Sequence, residues 1–83
     1  MTADEMFEAL GYSKRVVKES NYIQYTHIST GPREFYVIAF EGLNHTISIS
    51  LYSFTKGNIE GKNLIITINE LKAINKKVEE LRW

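Results

Sequence analysis

The 83-residue chain predicts an α+β domain of order α-β-β-β-(β)-α, an antiparallel meander sheet with N- and C-terminal helices packed on one face. Three observations predict it. Thr2-Ala3-Asp4-Glu5 and Thr67-Ile68-Asn69-Glu70 both read Thr-x-x-Glu, in which the threonine oxygen accepts from a free backbone N–H and the glutamate reaches back to the threonine N–H. Each box has flanking apolar residues placed to staple it, Met1 with Met6 and Ile66 with Leu71. Between the boxes lies a middle of strand composition, broken at Glu19-Ser20-Asn21, Thr30-Gly31-Pro32 and Glu41-Gly42-Leu43-Asn44 by residues that favour turns.

Ala3, Met6, Phe7 and Leu10 recur at helical spacing, so the first helix runs from Ala3 to Leu10. Asp4 and Glu5 suit the positive end of its dipole, and Gly11 suits the left-handed residue that closes it. Two turns of helix do not persist in water, so the Met6-Phe7-Leu10 face must dock. Lys14–Lys18 and Tyr22–Ser29 read as the first two strands. Glu34–Phe40 is apolar on both faces, Phe35-Val37-Ala39 on one and Tyr36-Ile38-Phe40 on the other, as in a strand covered on both sides or one with aromatics on a wet face. Thr46–Tyr52 alternates most cleanly, with Ile47, Ile49 and Leu51 inward and Thr46, Ser48, Ser50 and Tyr52 outward, so one face of the sheet is wet. Lys56-Gly57-Asn58 and Gly61-Lys62-Asn63 bracket a polar connection, and Leu64-Ile65-Ile66 is either a last strand or the lead-in to the second helix. That helix starts at Ile68 and runs toward Trp83 with Leu71, Ile74, Val78 and Leu81 as its apolar stripe.

Residues 1–83 form one domain, because a chain of this size buries only about 60–65% of its unfolded surface and cannot support a second core. Ten basic residues balance ten acidic ones, which removes bulk attraction to nucleic acid or anionic membrane and weakens the repulsion between copies. The absence of cysteine excludes disulfides, thiolate metal sites and cysteine nucleophiles. An acidic start and no apolar run of about 18 residues imply neither a signal peptide nor a membrane span, and point to the cytoplasm.

The chemical inventory is sparse. His27 and His45 lack Asp, Glu or His at metal-ligand spacing, and a catalytic role for either requires the two to share a pocket. Asp4, the sole aspartate, belongs to a helix first turn, while Glu34 and Glu41 read as solvated strand ends. The glycines are spaced as turn residues, not as a phosphate-binding loop. No catalytic, cofactor or metal residue is expected. A contact surface on the sheet is, with Tyr22, Tyr25, Tyr36, Ile38, Phe40 and Tyr52 as its candidate residues and a protein partner or a second copy as the occupant.

Gly31-Pro32-Arg33-Glu34-Phe35-Tyr36-Val37, within this element order, loosely resembles the double-stranded-RNA-binding domain, whose Gly-Pro-x-His loop precedes an aromatic strand. Glu34 stands where that family has histidine, and Ile68-Asn69-Glu70 stands where it has a lysine cluster opening the last helix. The alternative this implies is a nucleic-acid module using Arg33, Lys72, Lys76 and Lys77.

The two ends carry a second resemblance. Thr2-Ala3-Asp4-Glu5-Met6-Phe7-Glu8-Ala9-Leu10-Gly11-Tyr12 and Glu70-Leu71-Lys72-Ala73-Ile74-Asn75-Lys76-Lys77-Val78-Glu79-Glu80-Leu81-Arg82-Trp83 are similar to blocks at the ends of a group of short proteins encoded by phages and prophages of Gram-positive bacteria. The resemblance implies a small accessory protein of a mobile element that acts in the bacterial cytoplasm by binding a macromolecule. It assigns no residue a role. Arg82 stands where the group has glycine.

Overall fold

A computed structural model describes residues 1–28, 34–53, 57–58 and 64–83. Helix α1 spans Ala3–Ala9 and α2 spans Ile68–Leu81, and both capping boxes are complete. Between them, strands β1 (Ser13–Val17), β2 (Tyr22–Ile28), β3 (Glu34–Glu41), β4 (Thr46–Ser53) and β5 (Gly57–Asn58) form one antiparallel sheet in the order β1-β2-β3-β4-β5. The predicted α+β meander is therefore the observed fold. Leu64-Ile65-Ile66 takes the second of its two expected states, lead-in to α2, and the fifth strand is the two-residue Gly57–Asn58 inside the segment read as a polar connection. Thr30-Gly31-Pro32 and Gly61-Lys62-Asn63 lie outside the described residues.

The pairing register explains which side chains meet the helices. Tyr25 faces Ile38, Ile38 faces Ile49, and Ile23, Phe40 and Ile47 align one step along, so these residues share one side of the sheet. On that side Phe7, Tyr12, Tyr25, Ile38, Phe40, Ala73 and Ile74 make the core. Phe7 stacks on Tyr25 at 3.9 Å between ring centroids and meets Phe40 and Tyr12 edge-on. A two-turn helix is thus held by one ring set among three others.

Of the predicted α2 stripe, Ile74 is buried and Val78 and Leu81 pack against the core, while Leu71 is 40% exposed. Ala73 and Lys77 are buried besides, because α2 packs sideways against α1 as well as on the core. The opposite side of the sheet carries no described helix. Tyr22 Oη donates to Gln24 Oε1, and Gln24 Nε2 donates to Thr26 Oγ1, which lays a polar chain along β2 beside the buried Val37 and Ala39. Phe35 stacks on Tyr52 across β3 and β4 on the same side.

Tight approaches fix the connections. At the β3–β4 turn, Gly42 N–H donates to the Asn21 carbonyl, so close that a Cβ on Gly42 would stand 2.7 Å from that oxygen. At the end of α2, Arg82 takes a left-handed φ of 58°, and Trp83 folds back onto Phe40 and stacks on His45.

Candidate functional site

The structure gathers polar side chains where the end of α1, the start of α2 and the sheet converge. The local cause lies in the closure of α1. Gly11 adopts φ +90°, its N–H donates to the Glu8 carbonyl, and the Tyr12 N–H donates to the Phe7 carbonyl. This pair of bonds, with a hydrophobic contact from the second residue past the helix back into its last turn, is the Schellman arrangement, and Tyr12 against Phe7 supplies the contact. The same turn aims the Tyr12 hydroxyl at α2, where it donates to Glu70 Oε2. Glu70 Oε1 meanwhile accepts from Thr67 N–H at 2.7 Å, so one carboxylate caps α2 and ties it to the loop after α1.

A cleft of about 300 Å³ opens at this junction, lined by Leu10, Tyr12, His27, Tyr36, Thr67, Glu70 and Ile65. His27 and Tyr36 face each other across β2 and β3, and the His27 ring lies 5.2 Å from that of Tyr12. The size is at the lower limit for small-molecule pockets, which suits a side chain better than a cofactor. An adjoining groove between the helices is lined by Met1, Met6, Ala9, Leu10, Asn69 and Lys72. Leu10 borders both hollows.

Charges in the cleft are settled. Burial pushes the Tyr12 hydroxyl above its ordinary value of 10, and its bond to Glu70, the charge of Glu70 and the nearby Tyr36 push it further. Burial also works to raise Glu70. The bonds from Tyr12 and from the Thr67 amide and hydroxyl, with His27 nearby, outweigh burial and hold the carboxyl below its usual 4.5. Near neutrality Tyr12 is a neutral donor and Glu70 an anion, and neither is poised to exchange a proton.

A second tyrosine–carboxylate pair closes the other flank of the core. Tyr25 Oη donates to Asp4 Oδ1 at 2.5 Å, Lys14 Nζ lies 2.7 Å from Asp4 Oδ2, and Lys77 Nζ lies 3.5 Å from Asp4 Oδ1. Glu80 Oε2 accepts from the Ala3 N–H at 2.7 Å. Burial raises Asp4, but the Lys14 and Tyr25 hydrogen bonds and the Lys77 charge prevail and lower it below 3.8. Each helix therefore offers a first-turn carboxylate to a tyrosine from another element.

The expected contact residues separate into three groups. Tyr25, Ile38 and Phe40 are buried core and not surface, because the face of β3 to which Ile38 and Phe40 belong is the one the helices cover. Tyr22 and Tyr52 lie on the helix-free side, and Tyr36 lines the cleft. Of the cations in the nucleic-acid alternative, Arg33 lies outside the described residues, Lys72 is exposed, and Lys76 reaches Glu79 at 3.8 Å. Lys77 is a correction. It is buried against Asp4 and Glu80, since the small Ala73 lets α1 and α2 close over its stem, and its charge is spent inside the protein.

His27 and His45 do not meet. His27 pairs with Tyr36 at one end of β3, whereas His45 sits in the turn past Glu41 at the other and stacks on Trp83 at 4.8 Å. Among the described residues no group of three His, Cys, Asp or Glu side chains is placed to hold a metal ion, and no helix is long and apolar enough to cross a membrane. Tyr12, Glu70 and Ile65 entered the site unannounced. Their signals, a residue after a cap glycine, a capping-box glutamate and a helix lead-in, all read as structural. No family model, curated protein or solved structure matches the chain.

Proposed function

We propose that this chain is a protein-contact module, acting by binding and not by catalysis, whose contact surface is the end of the molecule formed by the tip of α1 and the entry to α2. One observation carries the reading. Of the eight large hydrophobic residues exposed among the described residues, four fall within residues 64–71: Leu64 at 43%, Ile65 at 79%, Ile68 at 67% and Leu71 at 40%. Apolar side chains gathered in this way mark a contact surface more often than a solvated one. Met1, also 79% exposed, lines the adjoining groove and extends the surface toward α1.

The helix-free side of the sheet serves less well. Its long polar side chains are already bonded to one another along β2, and its central Val37 and Ala39 are already buried. The similarity of both terminal blocks to phage and prophage proteins supports a role as a small accessory protein in a bacterial cytoplasm. The zero net charge supports self-association as the first form of contact to test.

Sedimentation velocity over a concentration series, with binding of an environment-sensitive apolar dye, tests the reading. Wild type should associate or bind dye, and the double variant Ile65→Ser, Ile68→Ser should lose both while melting at the same temperature. A wild-type chain that stays monomeric and dye-silent overturns it.

A further inference from the structure

We propose that the cleft between Tyr12, His27, Tyr36 and Glu70 receives a basic side chain, lysine or arginine, presented by a protein partner at this surface. The inference rests on the contact-surface reading above and names the chemistry the partner must carry.

Charge complementarity is the first argument. Glu70 is half-buried, and among the described residues no lysine or arginine forms an ion pair with it, although Asp4 holds two lysines and Glu80 holds one. Each Glu70 oxygen accepts one hydrogen bond, from Thr67 N–H and from Tyr12 Oη, and a carboxylate has about four acceptor sites. About two acceptor positions therefore remain on a carboxylate that lines the cleft. A part-buried carboxylate with no lysine or arginine paired to it among the described residues is a receptor for one.

The walls are the second argument. Tyr12 and Tyr36 bring two phenol rings and His27 a third aromatic ring to one small cleft, and such faces attract ammonium and guanidinium groups. Leu10 and the exposed Ile65 stand at the same cleft as apolar ground for the aliphatic stem of a long basic side chain. An anionic ligand is disfavoured. The N-terminus of α2, which could have drawn one, is closed by its own Thr67–Glu70 box.

Titration of the isotope-labelled full chain with n-butylguanidinium, n-butylammonium and n-butanol at matched ionic strength tests the proposal by NMR. Both cations should shift the amide signals of Tyr12, His27, Tyr36 and Glu70 with a dissociation constant on the order of 1 mM, and butanol should not. Glu70→Gln, whose single oxygen can accept from Thr67 N–H or from Tyr12 Oη but not from both, should lower the melting temperature and, compared at a temperature where both proteins are folded, weaken cation binding about tenfold. Tyr36→Leu leaves the capping box intact and should weaken it severalfold. Cations that shift these signals no more than butanol does, or that bind Glu70→Gln as tightly as wild type, overturn the proposal. Ile68→Ser, Leu71→Ser, which changes exposed residues outside the cleft lining, separates the two readings. Lost association with no cation binding by wild type refutes only the basic side chain, and intact cation binding with unchanged association and dye binding refutes only the contact surface.

Discussion

Replacing Gly11 with alanine should destabilise the domain by about 0.5–3 kcal/mol, and the size follows from two features of one position. The backbone there is at φ +90°, where a side chain costs about 1–2 kcal/mol, offset by about 0.4–1 kcal/mol because alanine restricts the unfolded chain. The new Cβ would also stand 3.0 Å from His27 Cδ2 and 3.2 Å from Nε2, so the ring must swing off its rotamer for roughly 0.5–1.5 kcal/mol more. For a domain of this size the sum lowers the melting temperature by about 2–24 °C. Thermal unfolding followed by circular dichroism reads the stability, and the His27 ring signals in NMR read the displacement. Gly11→Asn separates the two costs, because asparagine tolerates positive φ but brings the same Cβ. If asparagine is as harmful as alanine, the His27 contact dominates. An alanine variant as stable as wild type or more so, with the His27 signals unmoved, refutes the reasoning.

At the other helix end the sign reverses: Arg82→Gly should stabilise by about 0.5–1 kcal/mol, since Arg82 holds φ 58°, and an unchanged or lower melting temperature counts against that account. Tyr25→Phe should cost about 1–2 kcal/mol in chemical denaturation, because it removes the hydroxyl bonded to Asp4 and leaves the ring stack on Phe7 in place. Stability should fall at both pH extremes. Asp4 and Glu70 are lowered in the folded state, so their contribution is complete above their ordinary values of 3.8 and 4.5 and is lost as pH falls through the folded values. Burial and the bonds to Asp4 and Glu70 raise Tyr25 and Tyr12, so their contribution is complete below pH 10 and declines as pH rises beyond it. Melting temperatures across pH show whether Glu70→Gln flattens the acid limb, and a limb that keeps its slope removes Glu70 from the account.

The fold was legible where one local rule decided the outcome. Thr2 and Glu5, and Thr67 and Glu70, could be read as boxes because every atom involved lies within four residues, and the alternation of Thr46–Tyr52 placed Leu51 inward for the same reason. Ile38 and Phe40 were misplaced because β3 is apolar on both sides, and Tyr25 because β2 mixes apolar and polar residues without a clean alternation, so period-two patterning cannot say which side a helix covers. Docking of α1 decided it through Phe7. Lys77 misled in a related way. A lysine on a helix is ordinarily solvated, and only the approach of Asp4 from a residue 73 positions earlier makes this one interior.

The cleft escaped the sequence for a sharper reason, which also bears on its use. Glu70 satisfies a local motif completely through Thr67, so nothing in its neighbourhood asks for a second partner. Tyr12 arrives from 58 positions away, delivered by Gly11, and converts a cap into one wall of a cleft. Asp4 is built on the same plan with Tyr25, yet the two outcomes differ in one respect. Asp4 draws Lys14 and Lys77 to within 4 Å at a partly exposed site, whereas Glu70 has rings and aliphatic residues beside it and, among the described residues, no lysine or arginine paired with it. Were Glu70 only a tie between helix and loop, a nearby lysine would stabilise it at little cost, as it does at Asp4. The side of α2 that could have supplied one carries Ile68 and Leu71, exposed, where a solvated first turn would place polar residues. Absent internal charge and exposed apolar surface thus occur together at one end of the molecule, and a partner bringing both a cation and an apolar face answers both.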